Sequence, residues 1–384
     1  MSTLKVNTIR HTGASSDAVT LATDGTCTAK ITNPRSFRNL VINGAMLVNQ
    51  RATQATSTGY NSIDRIAYYH LNVDEAPTYS QADVASGTTP YELGFRKCLR
   101  VTNGNQTSGA GAADQISIDY RFEAQDIANS GWNYTSTSSY ITLSFWIKSS
   151  VAQDFKLQLK TEDGTEKAYP MSTGALSANT WTKITKTIPG HADLQFDNNN
   201  AKGFNIHWFA FLGTDLTASV TDNAWINYSG SSKANDCTST WYTTNDATFE
   251  ITGVQLEVGD TATDFEHRSY GDELYRCQRY YQTLTGGVGA GTDSSSQIGY
   301  SQVFPVPMRV TPTCSANGAL TFEEMSDADR TQSSAEASFR GTRATNMGAS
   351  FTLSNFSSIV KDQIYLMNCN HGTNDHRITL SAEL

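Results

Sequence analysis

Between Trp225 and Tyr242 the chain reads WINYSGSSKANDCTSTWY. Four aromatic rings, Trp225, Tyr228, Trp241 and Tyr242, flank a polar stretch carrying Asn227, Asn235 and Asp236. A sugar presents C–H faces and a rim of hydroxyls. Recognising one takes an aromatic plane beneath the ring and fixed amides or carboxylates around it. These seven residues are therefore the candidate glycan-contacting set. The same letters also suit a plainer reading, in which the aromatics fill a sandwich core and the middle is a solvated loop. Asn129-Ser-Gly-Trp-Asn-Tyr134 is a second aromatic polar loop open to the same two readings.

Metal-ligating patterns are weak. Asp193, Asp197 and the Asn198-Asn-Asn200 run offer oxygen ligands for calcium, but lack the glycine and terminal glutamate of an EF-hand loop. His371, Asp375 and His376 could ligate a metal where several copies of the chain converge, although a surface loop explains them more simply. No metal or cofactor is expected. No GxSxG, P-loop, HExxH or strand-borne GxGxxG is present, and no fixed repeat suggests a β-helix. The chain is thus not expected to be an enzyme. Six widely scattered cysteines, with no CxxC among them, read as free thiols rather than a zinc site.

The elements that must hold such residues are mostly strands. Over 384 residues only 17% are charged, while Ser, Thr and Asn make up roughly 30%. A charge-poor chain rich in Thr and aromatics suits pleated sheets better than helix surfaces. The formal net charge of −9 argues against a nucleic-acid binder and against an anionic membrane surface, and no run is apolar enough for membrane insertion. Period-two alternation is clear at Ile116/Ile118/Tyr120, Ile141/Leu143/Phe145/Ile147 and Phe155/Leu157/Leu159. Phe204 to Leu212 is apolar on both faces, Phe209 and Phe211 opposing Phe204, Ile206, Trp208 and Leu212, which predicts a central strand covered twice. From Phe249 to Val258 the apolar parity switches at Gly253, which predicts a bulge.

These signals divide the chain into three parts. Residues 1–36 form short strands too few to bury a core alone, an attachment segment or a stalk intertwined with other copies. Residues 37–268 form an antiparallel jelly-roll-type β-sandwich. Residues 269–384 begin with one α-helix, capped by Ser269 and running to about Gln282 with Leu274, Cys277 and Tyr281 on one face. The Gly286–Gly291 run ends it as a flexible loop, and a small C-terminal β domain follows.

Four segments carry a family likeness: MSTLKVNTIRHTG at the start, NLVINGAMLVNQRAT from Asn39, ITGVQLEVGDTATDFEHRSYGDELYRCQRYYQ from Ile251, and FPVPMRVTPT from Phe304. On these the chain resembles tail-fibre-like virion proteins of tailed bacteriophages, of the cyanophage and marine type, with a carbohydrate-binding-like sandwich. Asp264 departs from the family's usual Pro at a turn. The resemblance implies a homotrimer in the phage tail, folded in the host cytoplasm. Its N-terminal region would meet a tail adaptor, nozzle or other virion protein, and the trimer would adhere to host surface polysaccharide. A capsid decoration or horn protein without a receptor role is the alternative reading, and a glycan-acting enzyme with a binding module the third.

Overall fold

A sheet with one apolar face must bury it against another layer, and in this chain two sheets face each other. The computed structural model describes residues 5–15, 17–25, 27–29, 38–325, 332–335, 337–368 and 377–384. Strands and helices are numbered along the chain. β1 (Thr8–Ile9), β2 (Val19–Leu21) and β3 (Cys27–Ala29) form an antiparallel meander. Val6, Ile9 and Leu21 remain exposed there, as expected of strands this short.

The sandwich has two six-stranded antiparallel sheets. The first has the order β14 (Ile226–Asn227), β11 (Lys167–Ser172), β10 (Lys156–Thr161), β13 (Lys202–Leu212), β8 (Gln115–Glu123), β5 (Ile66–Leu71). The second runs β12 (Thr182–Pro189), β9 (Tyr140–Ser149), β15 (Thr248–Val258), β7 (Lys97–Thr102), β6 (Thr78–Asp83), β4 (Gln54–Ala55). Register aligns the inward side chains in rows. Leu157 pairs with Trp208, Trp208 with Ile118, and Ile118 with Tyr68. Leu159, Ile206, Tyr120 and Ile66 form the next row. Phe145, Ile147, Phe249 and Leu256 meet them from the second sheet within one core.

Both irregular strands behave physically as their letters imply, with one correction. β13 is central and covered on both faces. Its inner residues join the main core, while Phe209 and Leu212 pack outside it against Ala234, Leu216 and Cys237. A register shift between Phe209 and Phe211 changes the parity, so Phe211 turns into the main core and Leu212 turns out, the reverse of simple alternation. In β15 the shift falls between Thr252 and Gln255, and Gly253 sits at φ +64°. A Cβ at Gly253 would lie 2.7 Å from the Phe95 ring.

α1 (Thr89–Glu92) and α2 (Ala124–Ala128) are short turns within the sandwich region, and α3 (Tyr270–Gln278) follows it. The Ser269 side chain caps α3 by accepting from the Asp272 amide at 3.2 Å. The helix stops at Gln278, earlier than the sequence suggests. Its inward face carries Glu273 and Cys277, and Tyr281 already belongs to a strand. Among the described residues, no helix is long and apolar enough to cross a membrane.

The rest forms two further antiparallel sheets. One has the order β16 (Tyr281–Leu284), β25 (Arg377–Ser381), β19 (Thr313–Asn317). The other runs β21 (Gln332–Ala335), β20 (Leu320–Glu324), β24 (Ile364–Asn368), β17 (Gly286–Gly291), β18 (Gln297–Val303), β23 (Gly348–Ser354), β22 (Ser338–Ala344). Tyr300, Phe322, Phe351 and Leu353 of the larger sheet share one core with Ile378 of the smaller. The glycine run is thus strand β17 and not a loop. Its glycines allow close approach, since a Cβ at Gly291 would collide with the Val360 carbonyl oxygen.

Gly253→Ala should destabilise the sandwich by about 1–3 kcal/mol, because a side chain at positive φ is strained and this one also meets Phe95. Urea unfolding followed by tryptophan fluorescence measures the change.

Candidate functional site

The structure separates the seven residues of the aromatic segment. Trp241 and Tyr242 are fully buried. Trp241 donates its indole N–H to the Thr248 carbonyl at 3.0 Å. Tyr242 stacks on Phe211 with ring centroids 4.2 Å apart and donates its hydroxyl to Asp114 at 2.8 Å. Neither ring has a face to offer a sugar, which corrects the sequence expectation for both. Trp225 packs edge-on against Tyr169 and donates to the Pro189 carbonyl at 2.7 Å. Asn235 accepts from the Val220 amide and donates to Asp222. Asp236 accepts from the Thr217 hydroxyl at 2.6 Å. These two residues brace the segment from 214 to 238 against itself. Asn227 accepts from Lys167 at the sheet edge. Of the seven, Tyr228 alone lines the groove described below.

The second aromatic loop is likewise structural in part, since Trp132 belongs to the main core. Asp193 accepts from Lys167 at 2.8 Å, and Asp197 receives the side-chain amide of Gln195. Among the described residues no group of three or more His, Cys, Asp and Glu converges as a metal site. His371, Asp375 and His376 lie outside the described residues.

A different site emerges from the outward parity of the first sheet. Register places Gln158 beside His207 and His207 beside Asp119. The neighbouring row is Lys156, Phe209, Ser117 and Tyr69. The row on the other side is Lys160, Asn205 and Arg121. Tyr228 and Lys233, delivered by the segment between β13 and β15, wall the site. The result is a groove of about 260 Å³ with Asp119, Gln158 and His207 among its lining and Tyr69 and Tyr228 as its open aromatics.

Asp119 organises this groove. Its carboxylate meets His207 Nδ1 at 2.8 Å and Arg121 Nη2 at 3.4 Å. Burial alone would raise its pKa, but the charges and hydrogen bonds of His207 and Arg121 hold it below the ordinary carboxylate value. With Asp119 ionised, His207 donates from Nδ1, and Nε2 is left as the other ring position. That Nε2 is buried without a protein partner, as is Oε1 of Gln158. Lys160 lies 4.2 Å over the Tyr228 ring and pairs with Glu162 and Glu166. The groove therefore combines the exposed Tyr69 ring and the half-buried Tyr228 ring, one face of which carries Lys160, with polar atoms that have no protein partner.

The sequence carried a signal for this groove. Ser117, Asp119 and Arg121 are the polar half of one alternating strand, and Lys156, Gln158 and Lys160 of another. Their convergence depends on β13 lying between β10 and β8, which alternation does not reveal.

Replacing Asp119 with Asn removes a charge-assisted contact to His207, which should cost about 1.5–3 kcal/mol at neutral pH. A carboxyl with a depressed folded pKa contributes stability above its unfolded value and loses it as pH falls through the folded value. Between pH 5 and pH 2 the native protein should therefore lose more stability than Asp119→Asn, as read from melting temperatures across that range.

No protein-family model and no curated protein sequence matches the chain. Solved structures with similarity to it include three of stated identity. One is the enzymatically active domain of tailspike protein 4 of bacteriophage CBA120, at 11% identity and a TM-score of 0.30, with 58% of this chain and 21% of that chain covered. A family 11 carbohydrate-binding module from Clostridium thermocellum, in complex with a β-1,3-1,4-mixed-linked tetrasaccharide, aligns at 12% identity and a TM-score of 0.24, covering 56% and 98% of the two chains. The third is a xylan-binding domain from Paenibacillus barcinonensis, at 9% identity and a TM-score of 0.25, covering 51% and 87%. This chain thus spans about a fifth of the tailspike domain it resembles.

Proposed function

We propose that this protein binds glycans without acting on them, through the groove on the outer face of the first sandwich sheet. The groove itself carries the reading. Tyr69 and Tyr228 offer planes for the C–H face of a sugar, and Gln158, His207 and Asp119 offer polar atoms for its hydroxyls. Glycoside hydrolysis commonly takes a pair of carboxyl groups flanking the scissile bond. Here the one carboxylate lining the groove is Asp119, and it is already engaged by His207 and Arg121, which supports binding rather than turnover.

The N-terminal and inter-domain motifs that resemble phage tail-fibre-like proteins support a more specific role, adhesion of a virion to a host surface polysaccharide by a homotrimer. Three weak grooves on one particle-bound trimer would gain strength by effective concentration. The exposed Val6, Ile9 and Leu21 of the N-terminal meander are apolar surface that trimerisation would cover.

A panel of immobilised polysaccharides tests the binding role. Tyr69→Ala and Tyr228→Ala should each weaken the retained glycan roughly tenfold, the order expected for losing one stacking ring, with melting temperature unchanged. Unaltered binding in both variants would remove the groove from consideration. Light scattering tests the assembly, and a stable monomer at micromolar concentration would exclude the trimer.

A further inference from the structure

The cations around the groove are not equivalent. Lys160 is paired with two glutamates. Arg121 donates to the Leu384 carbonyl at 2.6 Å and reaches Asp119. Lys233 is different. Its ammonium makes one hydrogen bond, to the neutral side-chain oxygen of Gln115 at 2.8 Å. Burial pushes its pKa down, while the more distant Asp119 and Lys160 act in opposite directions. In a chain with 28 Lys and Arg against 37 Asp and Glu, a half-buried ammonium with no carboxylate in salt-bridge contact, and Asp119 only as a groove neighbour, stands out.

Its position is fixed by the backbone. The Lys233 amide donates to the Leu216 carbonyl at 3.0 Å, and the next residue, Ala234, is fully buried in the cluster with Phe209 and Leu212. Thr217 and Ala234 form a parallel bridge. The segment that seals the outer face of β13 thus also delivers Lys233 to the groove wall, with little backbone freedom left to lose on binding.

We propose, building on the glycan-binding reading, that the groove selects sugars bearing an acidic substituent, a carboxylate or a sulfate ester, and that Lys233 is the residue that pairs with it. The remaining groups fit the rest of such a unit. Gln158 Oε1, in a residue 1% exposed, is an acceptor without a protein partner, and so can receive a donor such as a sugar hydroxyl. His207 Nε2 is a second unpartnered position. A bare inorganic anion brings acceptors alone and would face both Gln158 Oε1 and the Asp119 carboxylate. A neutral sugar would satisfy the acceptors but leave the ammonium unpaired, which is the costly arrangement for a partly desolvated charge.

Two matched pairs of polysaccharides test this on the full chain: polygalacturonate against its methyl ester, and a sulfated galactan against its neutral agarose counterpart. Affinity electrophoresis at about 150 mM salt, where surface attraction beyond about 8 Å is screened, gives the retardation constants. The acidic member of at least one pair should bind about tenfold or more tightly than its neutral partner. The pair that responds identifies carboxylate or sulfate as the source. Lys233→Gln should bring the two members within about threefold of each other, Lys233→Arg should keep the preference, and both variants should melt like the parent. Equal or tighter binding of the neutral members, weakened by Tyr228→Ala, would overturn the acidic selectivity and leave the glycan groove standing. A preference that survives Lys233→Gln would overturn the role of that residue. Absence of binding to every member would overturn both readings.

Discussion

Much of this molecule hangs on one buried guanidinium. Arg65 is 1% exposed and forms a salt bridge of 2.6 Å with Glu383. It lies 3.5 Å over the Tyr280 ring and donates to the Arg121 carbonyl. Its backbone sits at φ 72°, a conformation that a non-glycine residue holds only where its surroundings fix it. Taking one partner from such a pair strands a charge in the interior, at about 3–5 kcal/mol, so the partners constrain one another strongly. Glu383 also takes Arg51 at 2.8 Å, and Arg51 reaches Asp64 and lies over Tyr281. One step along β8, fully buried Glu123 accepts both Arg279 and the Tyr280 hydroxyl. The sandwich, the end of α3 and the last residues of the chain are therefore pinned by a single polar network rather than by a continuous apolar core.

That network has a consequence for the groove. β8 turns Tyr120 and Phe122 into the core, presents Asp119 and Arg121 outward, and ends on Glu123. Arg121 is held at three points: its own carbonyl accepts from Arg65, its guanidinium donates to Leu384, and it reaches Asp119. A cation so committed stiffens the groove wall, and of its guanidinium nitrogens Nε is the one buried without a protein partner. The rigidity that positions Asp119 and His207 is thus inseparable from the docking of the C-terminal residues, although those residues lie far away in sequence.

What could be read from the letters was what depends on local periodicity. The strands at 116–120, 141–147 and 155–159, the bulge at Gly253 and the cap at Ser269 each follow from backbone sterics and side-chain parity within a few residues. What could not be read depends on partners distant in sequence. Glycines 286–291 look like a loop until β24 and β18 flank them. Helix α3 looks longer because Tyr281 keeps helical spacing, yet its pairing with Ser381 makes it a strand residue. Trp241 and Tyr242 sit among polar letters, and nothing local tells whether a ring turns to water or to Phe249 and Phe211.

The groove illustrates the same division more sharply. Its polar residues were visible as the outward half of two strands, but a strand's outer face becomes a site only through its neighbours. β13 brings His207 between Gln158 and Asp119, while the segment from 214 to 238 is drawn over β13 because Phe209 and Leu212 need apolar cover. The burial that satisfies those two side chains is what lays Tyr228 and Lys233 along the groove wall. An apolar requirement on one central strand, imposed by the register change at Ala210, thus determines which polar groups meet above the sheet. The hydroxyl- and amide-rich surface suggested by composition supplies the chemistry in general terms. Hydrophobic cover forces a few of those groups, Tyr228 and Lys233 among them, into fixed positions.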